Sequence, residues 1–230
     1  MISLAEKSQA ALDSNVERLD LDKIFRRIGP LHVDLGCGDG SFLCALAAEN
    51  PEKNALGIER QLRRVMRSSR KASALANVRV LHTEIAYAVA NLLPPNSVEV
   101  FYLLFPDPWP KRRHHRRRLV TPEFLGSIRC ALEPGGLLHI ATDHLNYFEH
   151  ITRLVRTLAQ SAAPELDRLN RSSLQGAARQ LDCLNQSSCE TFEVIVGCDL
   201  ELPLTKFEKR FRTQGASIYR LTLRKVSPVT

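Results

Sequence analysis

Phe105-Pro106-Asp107-Pro108-Trp109-Pro110 sets one carboxylate and one indole among three prolines. Proline locks φ at about −65° and drives the residue before it out of the helical region. The run is therefore a stiff loop that holds Asp107 and Trp109 in fixed positions. A carboxylate beside a flat aromatic surface suits the handling of a nucleobase: the ring stacks, and the acid accepts from its N–H groups while the reacting atom is held in line. Trp109 could equally be a packing residue. A basic run, Lys111-Arg112-Arg113-His114-His115-Arg116-Arg117-Arg118, follows at once without an acid. Its six Lys and Arg account for nearly all of the formal net charge of +7, leaving +1 on the rest of the chain. A bare cationic cluster points to a polyanion as partner, although a solubilising or nuclear-localisation patch has the same composition.

A second group of residues reads as a cofactor site. Leu31-His32-Val33-Asp34-Leu35 is an apolar strand running into Gly36-Cys37-Gly38-Asp39-Gly40. The dinucleotide fingerprint G-x-G-x-x-G fails here, because its third glycine would fall on Ser41 or on Leu43. The pattern present, acid-x-G-x-G-x-G, resembles the first motif of class I S-adenosyl-L-methionine (SAM) methyltransferases. A cationic sulfonium needs no phosphate nest, and Asp34 suits both it and an ammonium group. Gly36 and Gly38 let the backbone approach the ligand closely. Glu59 closes the second strand, where a carboxylate accepts from both ribose hydroxyls in NAD and SAM folds alike. Glu84 ends the third strand, where this fold commonly sets an acid or amide beside adenine. Each acid alone could be a solvated strand-end residue; three of them in order on successive strands make a cofactor edge.

These residues need a scaffold that brings strand ends together. Short apolar runs at 31–35, 54–58, 78–82, 98–104 and 137–141 alternate with helical patterns near 41–49, 60–75, 84–91, 121–132 and 144–160. That alternation predicts an α/β, Rossmann-like class I methyltransferase fold: a mostly parallel seven-stranded sheet with helices on both faces. Pro134-Gly135-Gly136 is expected to turn into the fifth strand. Two last strands near 191–197 and 216–224 are expected as an antiparallel edge hairpin. The chain of 230 residues fits a single domain, 1–230. Residues 1–28 read as an amphipathic helical extension, and 161–190 as a variable surface segment. Arg60, Arg63, Arg64, Arg67 and Lys71 form a basic helical stripe, more simply a solvated face opposite Leu62, Val65 and Met66 than a phosphate track. No run is long and apolar enough to span a membrane. Glu6 and Lys7 stand where a signal peptide needs an apolar core, and six cysteines without a CxxC pair suit free thiols in a cytoplasmic setting. No metal-ligand spacing occurs, and arginines flank His114 and His115. The surface is compatible with a monomer or a homodimer.

Phe-Pro-Asp-Pro-Trp followed by a basic stretch, then Ala141-Thr142-Asp143, then Thr205-Lys206-Phe207-Glu208 with Arg210-Phe211, Gly215, Ile218 and Tyr219, resembles the motifs of the bacterial tRNA (guanine-N7)-methyltransferase family. The match runs over about 31–224. The resemblance implies SAM as cofactor and N7 of a guanine in the tRNA variable loop as acceptor. It implies cofactor contacts at Asp34, Gly36, Gly38, Glu59, Glu84 and Asp107, with Asp107 also catalytic. Substrate contacts are implied at Lys111, Asp143, Thr205, Lys206, Phe207 and Glu208. RNA contacts are implied at Arg113, His114, His115, Arg116, Arg117 and Arg118. The family most often carries glutamate where this chain has Asp34. The residues alone leave two other readings open: a SAM enzyme with a different acceptor, and a fold that binds RNA without catalysis.

Overall fold

Strands buried on both faces read as continuous apolar runs. In the computed structural model β1 (Leu31–Leu35) and β2 (Asn54–Glu59) are buried at every position. They pair in parallel with each other, and β3 (Val78–His82) and β4 (Val98–Leu104) extend the sheet on either side. β5 (Leu132–Thr142) is parallel to β4. β7 (Tyr219–Lys225) runs antiparallel to β5, and β6 (Phe192–Ile195) antiparallel to β7. The sheet order is β3-β2-β1-β4-β5-β7-β6, the expected seven strands with an antiparallel edge. The structure describes residues 17–169, 192–195 and 202–226, without the side chains of 159–169.

Helices connect the strands: α1 (Leu21–Phe25), α2 (Ser41–Glu49), α3 (Leu62–Ala72), α4 (Ile85–Tyr87), α5 (Pro122–Ala131), α6 (Leu145–Leu169) and α7 (Lys206–Thr213). A π-turn, Ala88–Leu92, continues α4. Thr121 caps α5 by accepting from the Phe124 N–H at 3.2 Å, and Pro122 opens the helix, where its missing N–H costs nothing. Phe101, Leu125, Ile128, Leu138, Tyr147, Ile151 and Leu223 fill the main core. Within the sheet His32 contacts Glu99 at 2.7 Å and Tyr102 at 3.1 Å, so these buried polar groups are paired.

Several expected boundaries shift. Of the 1–28 extension, 1–16 lie outside the described residues, and only Leu21–Phe25 is helical in the remainder. Arg26 turns left-handed at φ 57° and ends that helix ahead of Gly29-Pro30. Pro134-Gly135-Gly136 does not precede β5 but bulges inside it: Leu132 pairs with Val98, and Leu137 with Val100. On α3 the buried face is Val65, Ser68 and Ala72, while Leu62 and Met66 are exposed. β3 stops at His82, so Glu84 lies beyond it, at the start of α4. The helix expected at 144–160 runs on to Leu169, into the supposed variable segment, whose residues 170–190 are outside the described set. Among the described residues no helix is long and apolar enough to cross a membrane. Cys37 and Cys44 carry free thiols; Cys183, Cys189 and Cys198 are outside the described residues.

Candidate active site

In open α/β sheets ligands bind outside the carboxyl ends of strands where the order reverses. Here that point lies between β1 and β4, and the two motifs richest in chemistry leave those two strands. After β1 the chain takes positive φ at Gly36 (87°), Gly38 (57°) and Gly40 (74°). The Gly36 and Cys37 N–H groups donate to the Ile58 carbonyl at 2.8 and 3.1 Å, folding the turn onto β2. A Cβ on Gly40 would stand 2.6 Å from the Ser68 Cβ, so α3 packs where a side chain would be. Glu59, at the end of β2, is 4% exposed and accepts from the Gly38 N–H at 3.2 Å and the Gln61 N–H at 2.8 Å. These contacts orient its carboxylate across the glycine turn and leave lone pairs for a ligand.

Asp34 is equally buried, and burial followed by the Glu59 charge pushes its carboxyl up to about 7. Two buried acids on adjacent strands, one held above its ordinary range, make an edge that a cation would complete. The donor set thus fits SAM, whose sulfonium and ammonium both carry positive charge. Glu84 is two-thirds exposed and ion-paired with Arg60 at 3.7 Å, outside this enclosed pair. The basic stripe of α3 turns part of itself to the same edge, with Arg64 3.8 Å from Glu59 and Lys71 2.7 Å from Asp39.

After β4 the proline-rich loop begins. Phe105 and Trp109 both have positive φ, 56° and 43°, although neither is glycine and each precedes a proline. Such conformations cost ~1–3 kcal/mol each and persist only when their surroundings fix them. The Phe105 N–H donates to the Ala141 carbonyl at 2.7 Å, tying the loop to β5. Arg117 lies over the Trp109 ring at 5.0 Å and His114 meets that ring edge-on at 5.7 Å. Asp107 is exposed at the apex. Lys111 follows it, exposed, and the basic run folds as a 3-10 turn over Arg112–Arg117.

Arg113, Arg116 and Arg117 are exposed, whereas Arg118 is 4% exposed and does not belong with them. Its Nε donates to the Pro108 carbonyl at 2.9 Å, a terminal nitrogen donates to Asn146 at 3.0 Å, and its guanidinium lies 4.8 Å from the Tyr147 ring centre. Arg118 fastens the proline loop to α6 and is enclosed where the other arginines of the basic run are open to solvent.

The C-terminal motif forms α7. Thr205, 8% exposed, spends its hydroxyl on the Glu208 N–H at 2.9 Å as the helix cap. Glu208 is buried beneath Arg212 and Arg220, which both donate to it, and borders a cavity of about 700 Å³ that reaches Leu104 and Ala141. Lys206 binds the Asp39 carboxylate in the glycine turn. Burial opposes the effect, but Lys206 and Lys71 hold Asp39 well below the usual carboxylate range. Phe207, half exposed, stands 6.3 Å from Phe105 and 6.4 Å from Phe211. α7 therefore links the glycine turn, through Lys206, to the proline loop, through Phe207. Asp143 is exposed in the short turn between β5 and α6.

Asp39, Lys71, Phe105 and Phe211 are present in the quoted motifs and the basic stripe, yet none was expected as a site residue. Asp39 and Phe105 stood inside motifs already marked and needed only a partner; nothing in the spacing of Lys71 or Phe211 identifies theirs. Among the described residues no cluster of three or more metal-binding side chains occurs.

Residues 29–179 match the model of the family described as "Putative methyltransferase". A tRNA (guanine-N(7)-)-methyltransferase of Alkalilimnicola ehrlichii is 35% identical over 209 residues, covering 90% of this chain and 77% of the relative. The same enzyme of Shewanella woodyi is 35% identical over 217 residues, covering 94% and 81%. Among solved structures the 16S rRNA methyltransferase KamB superposes with a TM-score of 0.52 at 17% identity, covering 92% of this chain and 95% of that one. A 16S rRNA (adenine(1408)-N(1))-methyltransferase from Catenulisporales acidiphilia, solved with cosubstrate SAM, gives 0.52 at 18%, covering 96% and 94%. At that identity these two establish the fold alone.

Proposed function

The chain belongs to the tRNA (guanine-N7)-methyltransferase family, and we propose from this that it moves the methyl group of SAM to N7 of a guanine in the tRNA variable loop, in the cytoplasm. The observation that carries the reading is α7, which touches the glycine turn with one residue and the Asp107 loop with the next. Cofactor and base are thereby confined to one cleft, whose outer lip is the basic turn. Bound SAM supplies an electrophilic methyl group on a cationic sulfonium. Glu59 accepts from the ribose, and Asp34 faces the positive end. Glu84 lies near the adenine, at the exposed rim. Phe105, Phe207 and Phe211 offer the flat surface on which a flipped guanine stacks. Lys111, Asp143 and the α7 residues Lys206 and Glu208 complete the acceptor side. Thr205 serves it indirectly, as the cap that orders α7.

Guanine N7 carries a free lone pair, so no proton has to leave before it attacks. The methylated ring is cationic, and the Asp107 carboxylate lowers the barrier by meeting charge as it develops. The same carboxylate accepts from guanine N1–H and the exocyclic amine, which adenine cannot match. Arg113, His114, His115, Arg116 and Arg117 meet tRNA phosphates. Incubating unmodified tRNA with methyl-labelled SAM, followed by nucleoside analysis and position mapping, should return 7-methylguanosine at one variable-loop position. Label in another nucleoside, or none, would remove the proposal.

A further inference from the structure

Behind the catalytic loop a cavity of about 490 Å³ separates the basic turn from the start of α6. Its walls include Arg112, His115 and Arg118 from the turn side, and His144, His150 and Arg153 from the α6 side, with no acid among its lining residues. Buried charges are ordinarily paired, yet Arg118, 4% exposed, forms an ion pair with no carboxylate among the described residues; its hydrogen bonds go to a carbonyl and an amide. The Nε2 atom of His115 is buried without a hydrogen-bond partner. Burial, then the charges of Arg118, Arg153 and His115, hold His150 below its ordinary value, the signature of crowded cations. A buried arginine without a counter-ion, an idle imidazole nitrogen and the two further guanidiniums of Arg112 and Arg153 around one hollow are the donor set of an oxyanion site.

We propose that this cavity is a phosphate subsite that seats one phosphate group of the bound tRNA between the basic turn and α6. The proposal rests on the reading of the protein as a tRNA methyltransferase. A phosphate there neutralises Arg118 and gives His115 its missing partner. Because Arg118 also holds the Pro108 carbonyl, filling the subsite firms the loop that carries Asp107. The subsite thus links docking of the tRNA backbone to the geometry around the base.

The test uses the full chain and two exposed arginines on α6: Arg153, which lines the cavity, and Arg156, which does not. Binding of unmodified tRNA is followed from low to high salt, alongside SAM affinity as a check on folding. Arg153→Gln should weaken tRNA binding several-fold and reduce the log–log salt slope by about 0.7–0.9, the share of one phosphate. SAM affinity should be unchanged. Arg156→Gln should bind tRNA as the wild type does. His150→Gln should weaken binding in the same direction as Arg153→Gln, and the two together should cost no more salt slope than one contact. Millimolar inorganic phosphate should compete with tRNA in the wild type and much less in Arg153→Gln, whereas a site for free phosphate alone would show phosphate binding without competition. Equal affinities and slopes for Arg153→Gln and Arg156→Gln overturn the subsite while leaving the function intact. Failure of the wild type to form 7-methylguanosine in tRNA overturns the functional reading, and the subsite with it.

Discussion

Asp34 and Glu59 end up on neighbouring strands, both buried, and each was visible in the sequence as an acid at a strand end. What spacing could not supply was their effect on each other. Because the Asp34 carboxyl is raised in the folded protein, its contribution to stability is complete below the unfolded carboxylate range, near pH ~4. That contribution is lost as the pH climbs through about 7. The ligand-free protein should therefore become less stable from pH 5 to 8, and Asp34→Asn should remove this part of the slope. The readout is the melting temperature of both proteins across that range; parallel curves would mean Asp34 is not held neutral. A cationic ligand prefers the ionised acid, so wild-type SAM affinity should rise over the same interval relative to Asp34→Asn in calorimetry. Asp107 is the converse case, an exposed acid whose proposed role lies with the substrate. Asp107→Asn should lower turnover by about 10²–10³, the scale for one preorganised electrostatic group, with unaltered SAM affinity. Near-wild-type turnover would move the charge stabilisation to Asp143. The burial of Arg118 was not legible, since six cations in a row give no sign of which one turns inward.

At the scale of elements the parallel strands and most helices were legible, because buried strands leave apolar runs and helices leave a period. The errors fell where local pattern and tertiary packing disagree. α3 offers Leu62 and Met66 to solvent because Ser68 must sit against Gly40. Pro134-Gly135-Gly136 reads as a turn, but pairing on both sides of it keeps it inside β5. The C-terminal motif was legible as a motif, but its contacts were not. Thr205 and Glu208 stand in capping-box spacing, yet the carboxylate turns to Arg212 and Arg220, and the second of these comes from β7. Contacts between distant segments leave no period to read. The capping role makes a specific claim: Thr205→Ala should cost ~1 kcal/mol, a fall of about 2–4 °C in melting temperature for a domain of this size. Thr205→Ser should recover most of it and restore the tRNA KM that the alanine variant raises. Loss of methyl transfer by Thr205→Ser, with its melting temperature intact, would show that Thr205 acts on the substrate directly.

For the whole molecule the governing fact is that the cleft and the cationic lip belong to one stretch of chain. Leu104 to Arg118 leaves the switch point, carries Asp107 and Trp109, and ends in the strut against α6. Net charge predicted a polyanion without saying how the charge divides between recognition and architecture. Here it divides by depth: Arg113 and Arg116 are exposed, Arg117 covers Trp109, and Arg118 is enclosed. Neutralising Arg113 and Arg116 together should thus act on tRNA alone. Each lost phosphate contact lowers the log–log salt slope by about 0.7–0.9, and surface substitutions of this kind change stability by no more than ~0.5 kcal/mol. Arg118→Gln should do the reverse in proportion. Removing its hydrogen bonds and its stacking on Tyr147 costs about 2–3 kcal/mol, which lowers the melting temperature and frees the Asp107 loop, so kcat falls together with tRNA affinity. Melting curves and salt titrations on the two variants decide the matter. Should Arg113→Gln/Arg116→Gln lower the melting temperature while leaving the salt slope alone, the basic turn is a structural feature and the tRNA backbone is held elsewhere.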